Sequence, residues 1–181
     1  MNYSVEDTAI EIADIQSVLQ STAIVPEPEI PFPQANSFER VINICELLSE
    51  QELSRNDVTE QYAFDARQTN YYTDAARYLG LLEKTKENRT PVYTLSASGK
   101  RLLQLGYKQR QLEYCKYVLS HKAFNDTLRN YLETGNMPSA NEIVSIMKHS
   151  NLYNVESEST FFRRSSTITG WLNWILELVN E

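Results

Sequence analysis

The sequence predicts a mainly α-helical protein: tandem winged helix-turn-helix units with a small β-wing, plus an N-terminal helical extension. Three observations support this fold class. Apolar residues recur at helical spacing along most of the chain, Gly or Pro interrupts the helices, and one short β-prone run follows a charged loop. The predicted parts are an N-terminal helix with a proline-rich linker (1–36), a first winged unit (37–105), and a helical connector with a second helix-turn-helix unit (106–181).

The N-terminal part combines an acidic amphipathic helix with a segment that proline excludes from helix. Residues 4–22 place Ile, Val and Leu at helical spacing, with acidic residues in the first turns, where they suit the helix dipole. Four prolines follow, at positions 26, 28, 31 and 33, and favour an extended linker. We therefore expect an appended helix that docks on the body, pairs with a second copy of the chain, or binds a partner.

The first winged unit begins at Ser37 with a helix whose apolar face repeats at three- and four-residue spacing. Ser54 stands three residues before Asp57, the spacing of a capping box, and predicts the start of a second helix. The third helix, ARQTNYYTDAARYLGLLE, is expected to bury its alanines and to end at Gly80. The polar tip KTKENRT and the β-prone Val92–Leu95 then predict the wing.

The second half is predicted to be helical between short turns. Ser98 opens a helical stretch over 100–135 with a break near Gly106, and the turn GNMP ends it. Ser139 is the capping residue of a short helix, because Glu142 follows at the required spacing. After the loop SNLYNVES, the run STFFRRSSTITGWLNWILELV predicts a final helix, in which Trp171 and Trp174 are core or subunit-packing residues.

The charge distribution favours local rather than general attraction to a polyanion. The net charge is −7, but residues 1–60 hold twelve acids and two bases (−10), whereas residues 61–181 hold twelve acids and fifteen bases (+3). The most basic segment runs from Lys100 to Lys122. Binding to DNA depends on local potential more than on the total. A field of +3 is weak, so we expect modest affinity, or help from a partner or a second copy.

The polar face of the third helix carries residue types that suit DNA bases and phosphates. Arg binds guanine through two hydrogen bonds, Asn and Gln bind adenine, and residues near the start of a recognition helix make most base contacts. The candidates on this helix are Arg67, Gln68, Asn70, Tyr71 and Arg77. The alternative is a solvated polar face without a ligand.

The start of the final helix and the wing supply further candidates. Hydroxyls and arginines position proteins on phosphates, and each phosphate neutralised steepens the salt dependence of binding. The candidates on the final helix are Ser159, Thr160, Arg163, Arg164, Ser166 and Thr167. Those of the wing and the following helix are Lys84, Lys86, Arg89 and Lys100. A mixed-charge solvated surface is again the alternative.

The sequence offers no catalytic residue, metal site or cofactor motif. His121 and His149 lie outside any Cys/His cluster with metal-ligand spacing, and no glycine-rich phosphate loop is present. Cys45 and Cys115 each sit among apolar residues, which favours two buried reduced thiols in a cytoplasmic protein and leaves a disulfide open. No apolar run reaches the roughly 18 residues that span a bilayer, so we expect no membrane partner. The acidic N-terminus does not resemble a secretory leader.

Residues 37–181 resemble the winged-helix modules of bacterial restriction systems. The resemblance is carried by the motifs AARYLGLLE, YTLSASGKRLL and RRSSTITGWLNWI. It implies that tandem winged units form the target-recognition part of a type II restriction or nicking endonuclease, while a separate nuclease domain cuts. It assigns recognition to Arg67, Gln68, Asn70 and Tyr71 in the first unit and to Thr160, Arg163, Arg164 and Thr167 in the second. No counterpart of the nuclease domain is present, so we expect a recognition fragment, a specificity subunit or an unrelated regulator.

Two classes of function follow from these observations. The first hypothesis is a sequence-specific double-stranded DNA-binding protein, the recognition module or subunit of a restriction or defence system. Its partners would be double-stranded DNA, a nuclease or second recognition subunit, and a second copy of the chain. The second hypothesis is a non-catalytic protein-interaction adaptor or transcriptional regulator, since the acidic first sixty residues would suit a basic partner. A nuclease with an unrecognised site is a third hypothesis.

Overall fold

Helices dominate the computed structural model, which describes residues 8–62 and 64–180. The mainly α class is therefore confirmed for the described residues. The helices are α1 (Ile12–Ser21), α2 (Phe38–Leu47), α3 (Arg55–Tyr62), α4 (Ala66–Tyr78), α5 (Ala97–Leu103), α6 (Tyr107–Leu119), α7 (Lys122–Thr134), α8 (Ala140–Lys148) and α9 (Glu158–Glu177). The strands are β1 (Leu53–Ser54), β2 (Leu82–Glu87) and β3 (Thr90–Leu95). None of these helices is both long and apolar enough to cross a membrane.

The three strands form one antiparallel sheet in the order β1-β3-β2. Lys84 pairs with Tyr93 in the hairpin, and Leu53 pairs with Tyr93 from the other side. The predicted polar tip is wrong in extent: most of KTKENRT belongs to the strands, and only Asn88 and Arg89 form the turn, with φ of 49° and 68°. Two left-handed residues make the tight turn that matches strand twist. Pairing with β3 gives this polar stretch its strand conformation despite its low β-propensity.

The predicted helix start at Ser54 and helix end at Gly80 in the first unit are confirmed. The Asp57 amide donates to the Ser54 hydroxyl at 3.2 Å and the Ser54 amide donates to the Asp57 carboxylate at 3.2 Å, which is a complete capping box at the start of α3. Gly80 follows α4 with φ of 77°, and the Leu81 amide reaches back to the Ala76 carbonyl at 3.0 Å. This is the left-handed helix end that Gly adopts without strain.

The connector is divided more often than the sequence indicated. The break at Gly106 is confirmed, but a second break at Ser120 and His121 separates α6 from α7. The helix before Gly106 starts earlier than Ser98, because Ser96 is its capping residue: the Ser96 hydroxyl accepts from the Gly99 amide at 3.0 Å and donates to the Gly80 carbonyl at 2.6 Å. This hydroxyl therefore fixes α5 against the end of α4.

The final helices follow the predicted pattern. The Ser139 hydroxyl caps α8 by accepting from the Glu142 amide at 3.2 Å. In α9, Trp171 is fully buried and Trp174 is 8% exposed, so the prediction of core packing is confirmed. The Phe38 ring lies 5.1 Å from Trp171 and 4.4 Å from Trp174, measured between ring centroids. These contacts join α2 of the first unit to α9 of the second through a shared aromatic core.

The N-terminal helix docks on the body, which is one of the three expected outcomes. It begins at Ile12 rather than residue 4, and the predicted positions 4–7 lie outside the described residues. Ile15 and Leu19 are buried, and α1 packs against α6. The Arg129 guanidinium donates to the Leu19 carbonyl at 3.1 Å, and Lys108 pairs with Asp14 at 3.3 Å. The helix is thus an integral part of the fold.

The proline-rich segment is extended, as predicted, but it packs into the core rather than forming a free linker. Phe32, Pro33 and Ala35 are buried. The Phe32 ring lies 5.6 Å from Tyr78 and 5.5 Å from Phe124. Aromatic burial of this size stabilises the packed position and explains the departure from linker behaviour.

Both cysteines are buried free thiols, as the sequence favoured. Burial raises the pKa of Cys45 and of Cys115 to about 12 each, because the apolar surroundings disfavour the thiolate. Both groups are therefore neutral across the physiological range.

The raised thiol pKa values predict inert cysteines in the folded chain. At pH 8 the thiolate fraction is about one in ten thousand, so iodoacetamide should label neither residue until urea unfolds the protein. Because the folded state disfavours the thiolate, the free energy of unfolding should be unaffected well below the ordinary thiol pKa of 9.0 and should fall as the pH rises from there toward 12. Mass spectrometry of labelled protein checks the first outcome. Rapid labelling in native buffer would contradict the burial.

Gly170→Ala should destabilise the fold. A Cβ at this position would lie 2.2 Å from the Asn36 carbonyl oxygen, a backbone atom that cannot move aside cheaply. The expected loss is about 1–3 kcal/mol in the free energy of unfolding, the range for overpacked cores, and exceeds the ~1 kcal/mol gained in helix propensity. Urea denaturation measures it. Gly106→Ala is the control, since no atom lies within 4 Å of a Cβ there; equal losses at both positions would contradict the close approach at Gly170.

Candidate nucleic-acid interface

The N-terminal half of α4 holds four of the predicted residues on its outer side. Arg67 is exposed, and Gln68, Asn70 and Tyr71 are half-buried. The Arg67 Nε donates to the Tyr71 hydroxyl at 2.6 Å, and the guanidinium carbon lies 5.5 Å from the centre of the Tyr71 ring. A residue four positions on lies over the previous turn, so helix geometry creates this pair. The arrangement orders the arginine and leaves its Nη nitrogens to face solvent.

Gln68 also has a structural role, which was not predicted from the sequence. Its amide donates to the Asp65 carboxylate at 2.7 Å, and its side-chain oxygen accepts from the Asp65 amide at 3.3 Å. Asp65 and Gln68 thus form the capping box that starts α4. The signal was in the sequence, because Asp65 precedes Gln68 by three residues.

Arg77 lies apart from the other candidates of α4. It is ten residues beyond Arg67, about 15 Å along the helix axis at the usual rise. Its guanidinium pairs with Asp74 at 3.0 Å. Arg77 therefore does not join the surface formed at the start of the helix.

The hairpin displays its predicted basic residues in solvent. Lys84, Lys86 and Arg89 are exposed, and so is Lys100 in α5. Lys84 and Lys86 project to the same face of β2, because side chains alternate along a strand. Exposed Glu83 and Glu87 flank them, which reduces the local positive charge.

The start of α9 is a hydroxyl-rich cap followed by two arginines. The Ser157 hydroxyl accepts from the Thr160 amide at 3.3 Å and lies 2.7 Å from the Thr160 hydroxyl and 3.3 Å from that of Ser159. Arg163 is exposed one turn further on. Helix N-termini with free donors attract anions, so this end of α9 suits a phosphate.

Two predicted residues of α9 form hydrogen bonds within the fold instead. Thr167 is fully buried, accepts a hydrogen bond from the Ala35 amide at 3.1 Å and cannot reach a ligand, so the prediction for Thr167 is wrong. The exposed Ser166 donates to the Asn36 side-chain oxygen at 3.0 Å and to the Arg163 carbonyl at 2.8 Å. Its hydroxyl hydrogen is thus already used within the fold.

Arg164 is half-buried, and part of its guanidinium group has no hydrogen-bond partner among the described residues. Its Nε and Nη1 atoms are buried and have no hydrogen-bond partner within the described part of the chain. Burial lowers the pKa of Arg164, the charge of Arg163 lowers it further, and the Tyr71 phenol on α4 opposes these effects. A guanidinium stays charged at neutral pH, so two of its donors are buried without the acceptor that buried polar groups usually have.

Residues 35–37 connect α4 and α9. The Trp171 indole donates to the Ala35 carbonyl at 2.7 Å, and the Ser37 amide donates to the Tyr72 hydroxyl of α4 at 3.2 Å. The backbone of Asn36 passes directly over Gly170. Sequence reasoning missed this connection, although an isolated Gly within an apolar helix is a sign of close backbone approach.

These features define a mainly helical protein with a small antiparallel sheet, in which residues 35–37 link two helices with polar starts. No cluster of three or more metal-ligating side chains forms within residues 8–62 and 64–180. The chain belongs to the family described as a domain of unknown function (DUF7226), whose model matches residues 40–180. The matched region runs from α2 through α9. No curated protein and no solved structure matches the chain.

Arg164→Met should leave the folded protein as stable or more stable. The substitution keeps the apolar stem and removes two buried donors without partners, so we expect a gain of 0 to about 1 kcal/mol in the free energy of unfolding. Arg163→Met is the control, with an expected change within about 0.5 kcal/mol because Arg163 is exposed. Urea denaturation of both variants tests this. A loss above about 1 kcal/mol for Arg164→Met would indicate that its donors are satisfied in solution.

Proposed function

We propose that the chain is a double-stranded DNA-binding protein that contacts its target through the N-terminal halves of α4 and α9. The observation that carries the proposal is the hydroxyl-rich start of α9, where exposed Arg163 and half-buried Arg164 follow the Ser157 cap. A phosphate bound there would accept a hydrogen bond from exposed Arg163 and would offset the positive charge of the two adjacent arginines.

The order of elements supports a winged helix-turn-helix interpretation of the first unit. Residues 38–95 run helix, strand, helix, helix and hairpin, with the short β1 added to the hairpin as its third strand. Three residues separate α3 from α4, the length typical of the helix-turn-helix. In this interpretation α4 is the recognition helix and β2–β3 is the wing. Arg67 and Tyr71 would then face base edges, and Lys84, Lys86 and Arg89 would face the backbone.

The second unit is interpreted as a helix-turn-helix without a wing. It comprises α7, α8 and α9, which pack on one another. The segment between α8 and α9, residues 149–157, is longer than the usual turn. Thr160, Arg163 and Arg164 at the start of α9 would contact phosphates. The proposal extends to the recognition part of a restriction or defence system through the resemblance of the three motifs alone.

The proposal predicts that a random pool of duplexes yields a preferred sequence at low salt. Against the selected duplex, Arg67→Ala should cost about 1–3 kcal/mol of binding and relax the base preference at one position. Arg163→Ala should weaken all duplexes alike and reduce the salt slope by about one. Lys122→Ala is the control: it removes one exposed charge on α7, where Lys122 pairs with Asp126. Fluorescence anisotropy provides the affinities.

Three outcomes would decide against this function. Absence of binding to every duplex at low salt would contradict DNA binding and favour the adaptor, whose acidic first sixty residues suit a basic partner. Equal effects of Lys122→Ala and Arg67→Ala would show that α4 is not the contact surface. Binding without sequence preference would reduce the function to phosphate attraction.

A further inference from the structure

A cleft of about 460 Å³ lies between residues 22–28, the C-terminal end of α4 and the end of α6. Its volume falls within the roughly 300–1,000 Å³ typical of small-molecule sites. It is distinct from the candidate interface, because the interface residues of α4 are at the opposite end of that helix. The walls are largely apolar and include Val25, Pro26, Pro28, Tyr78 and Tyr117.

The cleft is held open by fixed contacts on either side. The Val25 amide donates to the Ser120 carbonyl at 2.9 Å. Two residues later, the buried carboxylate of Glu27 accepts from the Tyr78 hydroxyl at 2.6 Å and lies 3.3 Å from the His121 Nδ1. Pro26 and Pro28 have no amide hydrogen, so neither can donate a backbone hydrogen bond across the cleft.

An aromatic wall borders this site. The rings of Tyr78 and His121 stack with centroids 4.1 Å apart, and both residues line the cleft. The Glu27 carboxylate contacts both side chains and fixes their orientation. These two residues are only 2% and 3% exposed, so they form a fixed base for the cleft. A flat apolar group would pack on the exposed Val25 and Pro26 and the half-buried Tyr117, which need little reorganisation on binding.

The charge of the lining is positive. Arg77 and Lys116 line the cleft, and no Asp or Glu does so among the described residues. Arg77 is paired with Asp74 at 3.0 Å. Lys116 is exposed and forms no ion pair with any residue in the described ranges. Lys116 is therefore the cation with donors available to an anion at the mouth of the cleft.

We propose that this cleft binds a small organic acid with a flat apolar body, its acid group at Lys116 and its ring against Tyr117 and the exposed Val25 and Pro26. The inference does not depend on DNA binding, since none of its evidence comes from the starts of α4 and α9. A carboxylate or a sulfonate would satisfy the same contact.

The full chain can be tested with 8-anilinonaphthalene-1-sulfonate, a flat aromatic sulfonate. Its fluorescence should rise on binding and saturate at one equivalent. Ala23→Trp should abolish the signal, because the exposed Ala23 lines the cleft and an indole there would fill it. Lys116→Gln should weaken binding about fivefold, the upper range for an exposed charge pair. Lys100→Gln is the control, since Lys100 is an exposed lysine outside the lining.

Two further measurements separate the site from general dye binding. N-phenyl-1-naphthylamine, the uncharged analogue, should bind the Lys116→Gln and unaltered chains equally. Amide resonances of Gly80, Ser120 and His121 should shift in the unaltered chain when the sulfonate is added, which requires no variant to fold. Absence of saturable binding, binding that survives Ala23→Trp, or amide shifts confined to other regions would each overturn the proposal.

Discussion

The packing of residues 35–37 on α9 is the constraint on which the arrangement of the two helical units depends. Asn36 approaches Gly170 so closely that no side chain fits between them. Thr167 and Trp171, one turn of helix apart, bond the backbone of Ala35 on both its donor and its acceptor. The next contact, from Ser37 to Tyr72, reaches α4. A buried backbone group without a partner is costly, so these hydrogen bonds set the position of the segment as well as its stability.

The same segment links α4 to α9, the two helices whose polar starts were predicted to bind DNA. The Phe38 ring, directly after residues 35–37 in sequence, packs against both tryptophans of α9. Aromatic packing therefore fixes α2 on α9, while the hydrogen bonds of residues 35–37 link α9 to α4. Tyr71 on α4 raises the pKa of Arg164 on α9, which indicates that these two side chains lie near each other.

The sequence predicted the parts of the fold that depend on local chemistry. Capping at Ser54, Ser139 and Gly80, the buried thiols and the buried tryptophans all depend on patterns within a few residues. What it failed to predict depends on partners distant in sequence. The strand conformation of Lys84–Glu87 comes from pairing with β3, and the burial of Phe32 from rings about 46 and 92 residues away. Thr167 was predicted to lie at the surface because no residue near it in sequence indicates its contact with Ala35, 132 positions earlier.

Under the proposed DNA-binding function, the capping role of Gln68 limits how binding preference can differ among members of the family. Its side chain already closes the first turn of α4 with Asp65, so exchange for most other residues would loosen the helix start as well as alter the face presented to a ligand. Glu would preserve the capping geometry but would add repulsion toward phosphate. Neighbouring Arg67 and Asn70 take no part in this capping box. Diversification of binding preference should therefore concentrate on those two positions, while residue 68 varies little.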